Sequence, residues 1–547
     1  MSFSPDLPLI SDEARPDFTD AASCTEWLRS LPLINVAPSH GRLLGELEEL
    51  NCFDMPAAER IKVLELMLDA VQFLQTEHAK KITNRAAPLS KGEREILLNI
   101  DALWNAVRQG YVRALQAFIQ ADPELPAKPG SMLFACQRAL WCTQRKMAEM
   151  YKCSRQPSPD DWKLLHALYA FAEERGLADE GLPHPVRGED WKTSCMELYA
   201  QALLLDLANP NELTPRQLGL AARWLERFAI KARVTRHLQA DGEPRQGAAP
   251  MWIDLASSRG ATRLERPAGA RPEDLRFLDT TEVGRSLRRR LAALKQGEAP
   301  VDIGLGDDVT AQAAETLLGV LHRLLCDDRP VRAPGRRGKA AKAALAAGMG
   351  SIHFFISGRP FKQPAGANAK ELSHTQHAEI AMFGRTSTRR DDDYSTQQGF
   401  AMETWSILDE SLSGSRLRRD SGEARYVHAQ LVALRPADAG FFTLAVAQWL
   451  AVDDSYVLDM GVRNIPGLPQ AIAVRPTGLN AMAEKFVPGF ALPAVAALQQ
   501  PATLVLPAGW FKPKRGIEMF TDKPQSVMLT GVVERGSDFE RVTFQPF

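Results

Sequence analysis

The sequence predicts a multidomain α+β protein: an all-α helical-hairpin region in the N-terminal half, a mixed middle segment, and an antiparallel β-barrel followed by an added β extension. Three observations predict it. The chain has 547 residues, more than one hydrophobic core usually supports, so two or three domains are expected. From about residue 40 to residue 235, apolar side chains recur at helical spacing. After about residue 350 the pattern changes to short alternating runs broken by Gly, Pro, Asp and Asn, the grammar of an antiparallel barrel or sandwich.

The bulk composition excludes several classes. With 66 basic and 67 acidic residues the net charge is -1, so no global field draws the chain to DNA or to an anionic membrane. The seven cysteines form no C-x-x-C pair, which argues against a disulfide framework or a zinc ribbon and for a reducing cytoplasm. Residues 1–20 lack the basic and apolar regions of a signal peptide, and no run approaches a membrane span.

In order along the chain, residues 1–40 read as an extended segment and 41–235 as the helical domain. Ile61, Leu64, Leu68, Val71 and Leu74 form the apolar stripe of one amphipathic helix. Ser90 and Glu93 form a capping box ahead of Ile96, Leu97, Ile100, Leu103, Trp104 and Val107. The same pattern returns at Met132 to Tyr151, Ser158 to Glu174, Trp191 to Leu207 and Thr214 to Phe228. Aromatic and small residues on the inner faces allow a tetratricopeptide-like array as well as an irregular bundle, and no strict period decides between them. Such helical surfaces commonly bind a protein partner.

Residues 236–345 read as linker and mixed structure: one strand around Met251 to Leu255, helices at Glu282 to Lys295 and Thr310 to Cys326, and a basic run from Arg329 to Lys342. The barrel is expected over 346–480 and the β extension over 481–547. Ile352, Phe354 and Ile356 read as its first strand, ending at Gly358-Arg359-Pro360. Further strands are expected at Trp405 to Asp409, Arg416 to Arg418, Leu431 to Leu434, Phe442 to Trp449, Tyr456 to Val462, Ala471 to Arg475, Thr503 to Leu506, Val527 to Glu534 and Phe539 to Phe544.

Two short strings carry the chemistry. Arg385 and Arg389, four residues apart, present planar forks that suit a phosphodiester or the O6/N7 edge of guanine. Asp409, at a strand end, can accept from the N1 and N2 donors of guanine; Ser411 adds a hydroxyl and Gly414 permits close backbone approach. Together, R-x-x-x-R followed by D-x-S-x-x-G on a barrel resembles the PilZ domain, the bacterial receptor module for cyclic di-GMP, over roughly residues 380–480. The resemblance implies that Arg385 and Arg389 hold phosphate and guanine while Asp409, Ser411 and Gly414 line the other side. It also implies outputs in motility, pili or biofilm control. Asp391-Asp392-Asp393 follow Arg390, so these carboxylates must face solvent. Arg390 can substitute for Arg389 in the clamp, and Arg416 or Arg418 can add compensating charge.

Other candidates are weaker. His374, His377 and Glu379 have metal-compatible spacing but lack a further ligand nearby. Gly304-Leu305-Gly306-Asp307 is half a dinucleotide fingerprint and reads as a loop before a helix. Arg285, Arg288, Arg289 and Arg290 read as an exposed helical face. With no nucleophile elbow, H-E-x-x-H or Walker A string, the chain reads as a binding protein without catalytic residues, metal or cofactor. The leading reading is a cytoplasmic cyclic di-GMP effector that presents its helical region to a protein partner. Competing readings are a ligand-independent scaffold with a degenerate barrel and, third, an RNA or membrane-surface binder acting through residues 329–342.

Overall fold

A computed structural model describes residues 5–121, 129–237, 251–263, 267, 269–326, 341–364, 400–411, 413–477 and 484–546. The chain divides into two compact units. The first comprises residues 1–85 and 89–332, the second residues 86–88 and 333–547.

The first unit opens with α1 (Ala21–Ser30), α2 (Val36–Cys52), α3 (Ala57–Ile82) and α4 (Lys91–Gln120). The segment 1–40 is therefore not simply extended: Asp20 and Ser23 form a capping box that starts α1, which buries Cys24 and Trp27. α5 (Pro129–Lys152) and α6 (Pro159–Glu174) follow, then a hairpin of β1 (Leu182–His184) and β2 (Gly188–Thr193). The next helix, α7 (Cys195–Leu207), starts at the Ser194 cap instead of near Trp191, which lies in β2. α8 (Pro215–Phe228) completes this series. The helices run from 10 to 30 residues in length, so they form an irregular bundle and not an equal-helix repeat array.

The middle region joins the same unit. β3 (Arg233–Thr235), β4 (Met251–Asp254) and β5 (Leu275–Asp279) form a three-stranded sheet in the order β3-β5-β4, followed by α9 (Thr281–Lys295) and α10 (Ala311–Leu325). Sequence reading found one of these strands, β4; β3 and β5 are 3 and 5 residues long and become strands only through the β3–β5 and β4–β5 pairings. Gly304 and Gly306 adopt positive φ in the turn before α10, whose start is capped by Thr310. Arg290 packs its guanidinium over Phe228 at 4.9 Å and donates to Ile303 O, so the arginine face of α9 is partly internal.

Buried charge ties the helices together. Asp161 accepts from Lys146 Nζ at 2.8 Å and from Arg108 Nη1 at 2.7 Å, and its side chain is 2% exposed. Burial alone would raise its pKa, but the two cations outweigh burial and hold the carboxyl below its ordinary value.

The second unit contains two closed six-stranded barrels. The first has β6 (Ala341–Ala347), β7 (Glu403–Ser411), β8 (Gly414–Ser421), β9 (Leu431–Pro436), β10 (Thr443–Val452) and β11 (Leu458–Asn464) in the order β10-β11-β8-β7-β6-β9. The second has β12 (Gln470–Pro476), β13 (Val487–Leu492), β14 (Thr503–Pro507), β15 (Gly516–Phe520), β16 (Pro524–Arg535) and β17 (Phe539–Pro546) in the order β12-β13-β14-β17-β16-β15. The division thus falls between Asn464 and Gln470, not near 480, and β12 joins β13 to β17 in a second barrel instead of a β extension.

Ile352 to Ile356 form no strand. They lie in α11 (Met349–Ser357), which begins after Gly348 and ends at the left-handed Gly358. A run of this length has no periodicity that separates a strand from a short buried helix. Ile352 of α11 shares a core with Leu444 of the first barrel and Phe490, Val505 and Phe539 of the second. The barrels are also joined by Leu431 N donating to Asp538 Oδ1 at 2.9 Å and by the Arg463–Glu534 ion pair.

Replacing Asp161 by Asn takes the carboxylate from the buried Arg108 and leaves Lys146 with Asp101 alone among the described residues; it is expected to cost about 3–5 kcal/mol in urea unfolding. Because the folded-state pKa lies below the ordinary 3.8, the carboxylate's stabilisation is present above that value. It is lost as pH falls through the folded pKa. Acid titration of D161N by circular dichroism should therefore lack the part of the wild-type transition below about pH 4.

Candidate ligand-binding face

Inside the first barrel, Trp405, Ile407, Leu417, Leu450, Leu458, Met460 and Val462 form the core. Strict alternation along β7 would send Asp409 into this core beside Trp405 and Ile407. Two bulges prevent such an outcome. The register shifts between Ile407 and Asp409, so that Ile407 faces Leu417 whereas Asp409 faces Arg416. In β10 it shifts between Ala447 and Trp449, so that Ala447 faces Val462 whereas Trp449 faces Gly461. An inserted residue re-aims the side chain that follows it. Asp409 and Trp449 are thereby carried to the outer face.

That face spans four adjacent strands. Trp449 on β10, Gly461 on β11, Arg416 on β8 and Asp409 on β7 lie in one cross-strand row. The neighbouring row holds Asp459, Arg418, Ser406 and Lys342. Gly461 leaves room for the indole: a Cβ there would lie 1.9 Å from Trp449 Nε1. Arg416 stacks its guanidinium carbon 5.8 Å from the Trp449 ring centroid.

Asp459 organises the charges. Its residue is 7% exposed; it accepts from Arg418 Nε at 2.7 Å, Arg418 Nη2 at 3.0 Å and Arg416 Nη2 at 2.8 Å. Burial by itself would raise its pKa, yet the hydrogen bonds from Arg418 and Arg416 hold the carboxyl low. Asp459 balances one of the two guanidiniums, and Asp409 lies opposite the other, Arg416. Arg416 Nε is buried and meets no acceptor among the described residues, a condition that costs about 1–3 kcal/mol until an acceptor arrives.

The Asp409 to Gly414 turn is held from β11. Asn464 N donates to Ser413 O at 2.9 Å, and a Cβ on Gly414 would sit 2.0 Å from Val462 O, so only glycine fits. Ser411 Oγ donates to Gly414 O at 3.0 Å; its hydrogen serves the turn and its oxygen remains an acceptor. Lys342, read from sequence as the end of a basic linker, is a barrel residue on β6 that pairs with Asp420 at 2.7 Å.

The structure brings Asp409, Ser411, Gly414, Arg416 and Arg418 onto one hairpin. Arg385, Arg389, Arg390 and Asp391 to Asp393 lie outside the described residues, as do His374, His377, Glu379 and 329–340 of the basic run. Trp449, Asp459 and Gly461 were missed as site residues. Their signal was a lone carboxylate and a glycine at outward positions of an apolar strand, readable only once β11 is known to neighbour β8. Among the described residues no group of His, Cys, Asp and Glu could hold a metal ion, and no helix is long and apolar enough to cross a membrane. A cleft of about 970 Å³ in the first unit, lined by Trp162, Asp206, Asp254 and Ser257 among others, contains none of the predicted residues.

Fold and site together define a two-barrel protein with a helical N-terminal unit and a charged face on the first barrel. Residues 22–240 match the family model described as "Cyclic-di-GMP receptor FimW, N-terminal domain", and residues 472–547 match "FimW C-terminal beta-barrel domain". The second match coincides with the second barrel. Over 536 aligned residues the chain is 23% identical to the cyclic-di-GMP receptor FimW of Pseudomonas aeruginosa PAO1, covering 88% of this chain and 83% of that protein. The first barrel, which carries the face, lies between the two matched segments.

Gly461→Ala is expected to push the indole off β11 and destabilise the barrel by about 1–3 kcal/mol. Denaturant unfolding, with tryptophan emission compared against Trp449→Phe, checks this; an unchanged Trp449 contribution would contradict the packing described.

Proposed function

We propose that the chain is a cyclic di-GMP-binding signalling effector whose ligand sits on the outer face of the first barrel. The observation that carries this reading is the Asp409–Arg416 row, with its orphaned Arg416 donor, in a chain similar along most of its length to a protein named a cyclic-di-GMP receptor. An acceptor carboxylate, a guanidinium beside it and a glycine-tight turn suit a purine nucleotide that bears phosphodiesters.

In this reading Arg385 and Arg389, with Arg390 as an alternate, supply phosphate and guanine contacts from the segment ahead of β7. Asp409 accepts from guanine N1 and N2, and Ser411 and Gly414 shape the wall. The protein works by binding, without catalytic residues or cofactor, in the cytoplasm. Its helical region meets a protein partner, and the output lies in motility, pili or biofilm control. The shared core of α11 and both barrels offers a path by which occupancy of the face can alter barrel packing.

Calorimetry with cyclic di-GMP on the full chain tests this. Micromolar or tighter binding is expected, abolished in the Arg385→Ala/Arg389→Ala double variant and weakened at least tenfold in Asp409→Ala. No heat from well-folded wild type supports the ligand-independent scaffold instead.

A further inference from the structure

Arg416 and Arg418 sit two residues apart on one strand and share one carboxylate, yet their hydrogen-bonding states differ. Arg418 gives both Nε and Nη2 to Asp459. Arg416 gives Nη2 alone, keeps a buried Nε that meets no acceptor among the described residues, and rests against Trp449. Their side chains are 42% and 44% exposed, so exposure does not separate them. Asp459 does.

We propose that Asp459 is the positioning residue of this face: it retires Arg418 as a counter-ion and fixes Arg416 so that Arg416 and Asp409 together read one guanine. The inference rests on the receptor reading above and adds a division of labour within it. Asp409 and Arg416 are direct cross-strand partners, which places their side chains about 5 Å apart at the β-carbons. Guanine presents N1–H and N2–H donors beside the O6 acceptor, with N7 next to it. A carboxylate and a guanidinium side by side complement that order. Adenine presents an N6 donor where guanine has O6, so Arg416 would meet a donor and Asp409 would lose its N1–H partner.

Rigidity is part of the argument. A guanidinium free to rotate would satisfy either base or reach a phosphate. Held at Nη2 by a buried carboxylate and on one face by the Trp449 indole, the Arg416 fork is confined to one orientation. Lysine at 416 would keep the charge and lose the planar fork.

The test is calorimetry of the full chain with cyclic di-GMP and with cyclic di-AMP, for wild type, Asp459→Asn, Arg416→Ala, Arg416→Lys and Arg418→Ala, with circular dichroism to verify folding. Wild type should prefer the guanine ligand. Asp459→Asn, Arg416→Ala and Arg416→Lys should each lose roughly 5- to 150-fold of that preference, the range for one specific base contact, whereas Arg418→Ala should keep it within about threefold. Arg416 is a surface side chain, so its two variants decide the question even if Asp459→Asn unfolds. Preference for guanine that survives in both Arg416 variants, or that falls in Arg418→Ala as far as in Arg416→Ala, overturns the division of labour. Loss of preference in Arg416→Lys with none in a folded Asp459→Asn overturns the role of Asp459. Wild type that binds neither ligand overturns the receptor reading itself.

Discussion

Closure of the first barrel is the constraint from which its outer face follows. β6 pairs with β7 along one edge and with β9 along the other, so every strand has two neighbours and no edge is left open. Closure commits Trp405, Leu417, Leu458, Met460 and Val462 to the interior, and the positions that alternate with them on β8 and β11 point outward. Arg416, Arg418, Asp459 and Gly461 become neighbours because the barrel has nowhere else to put them. One end of the interior is sealed by Glu403, which accepts from Tyr426 Oη at 2.7 Å and Trp405 Nε1 at 3.3 Å.

Within that frame a single carboxylate does unusual duty. Surface ion pairs contribute little because water already solvates both partners, but Asp459 is nearly buried and accepts three hydrogen bonds from two half-exposed arginines. Its effect is geometric as much as energetic. It sets which guanidinium keeps a buried donor that meets no acceptor among the described residues.

The second barrel is packed against the first through apolar side chains and a few polar pins. Asp538 receives Leu431 N, and burial raises the pKa of its carboxyl. Arg463, one residue beyond Val462 whose carbonyl meets Gly414, pairs with Glu534 of β16. The turn at the candidate site pairs through Gly414 with Arg463 itself, and the segment 472–547 that matches a FimW domain is the barrel on the far side of that ion pair.

Much of this was legible in the sequence because it is local. Capping boxes at Ser90 and Ser158 start helices where expected, and the alternating runs from Trp405 onward are strands. Asp409, Ser411 and Gly414 stood out because a turn of that kind needs those residue types. What stayed hidden is non-local. β6 and β13 are short runs that become strands only through their partners. α11 looks like a strand until both barrels bury it. Above all, periodicity of two would have pointed Asp409 inward. The sequence alone determined which residues could recognise a nucleotide; only the tertiary structure, through two bulges and the β8–β11 pairing, decided that Asp409 and Trp449 face outward and that Asp459 lies between the arginines. A bulge inserts one residue against a partner strand, and that partner is defined by closure of the barrel and not by any neighbour in the chain.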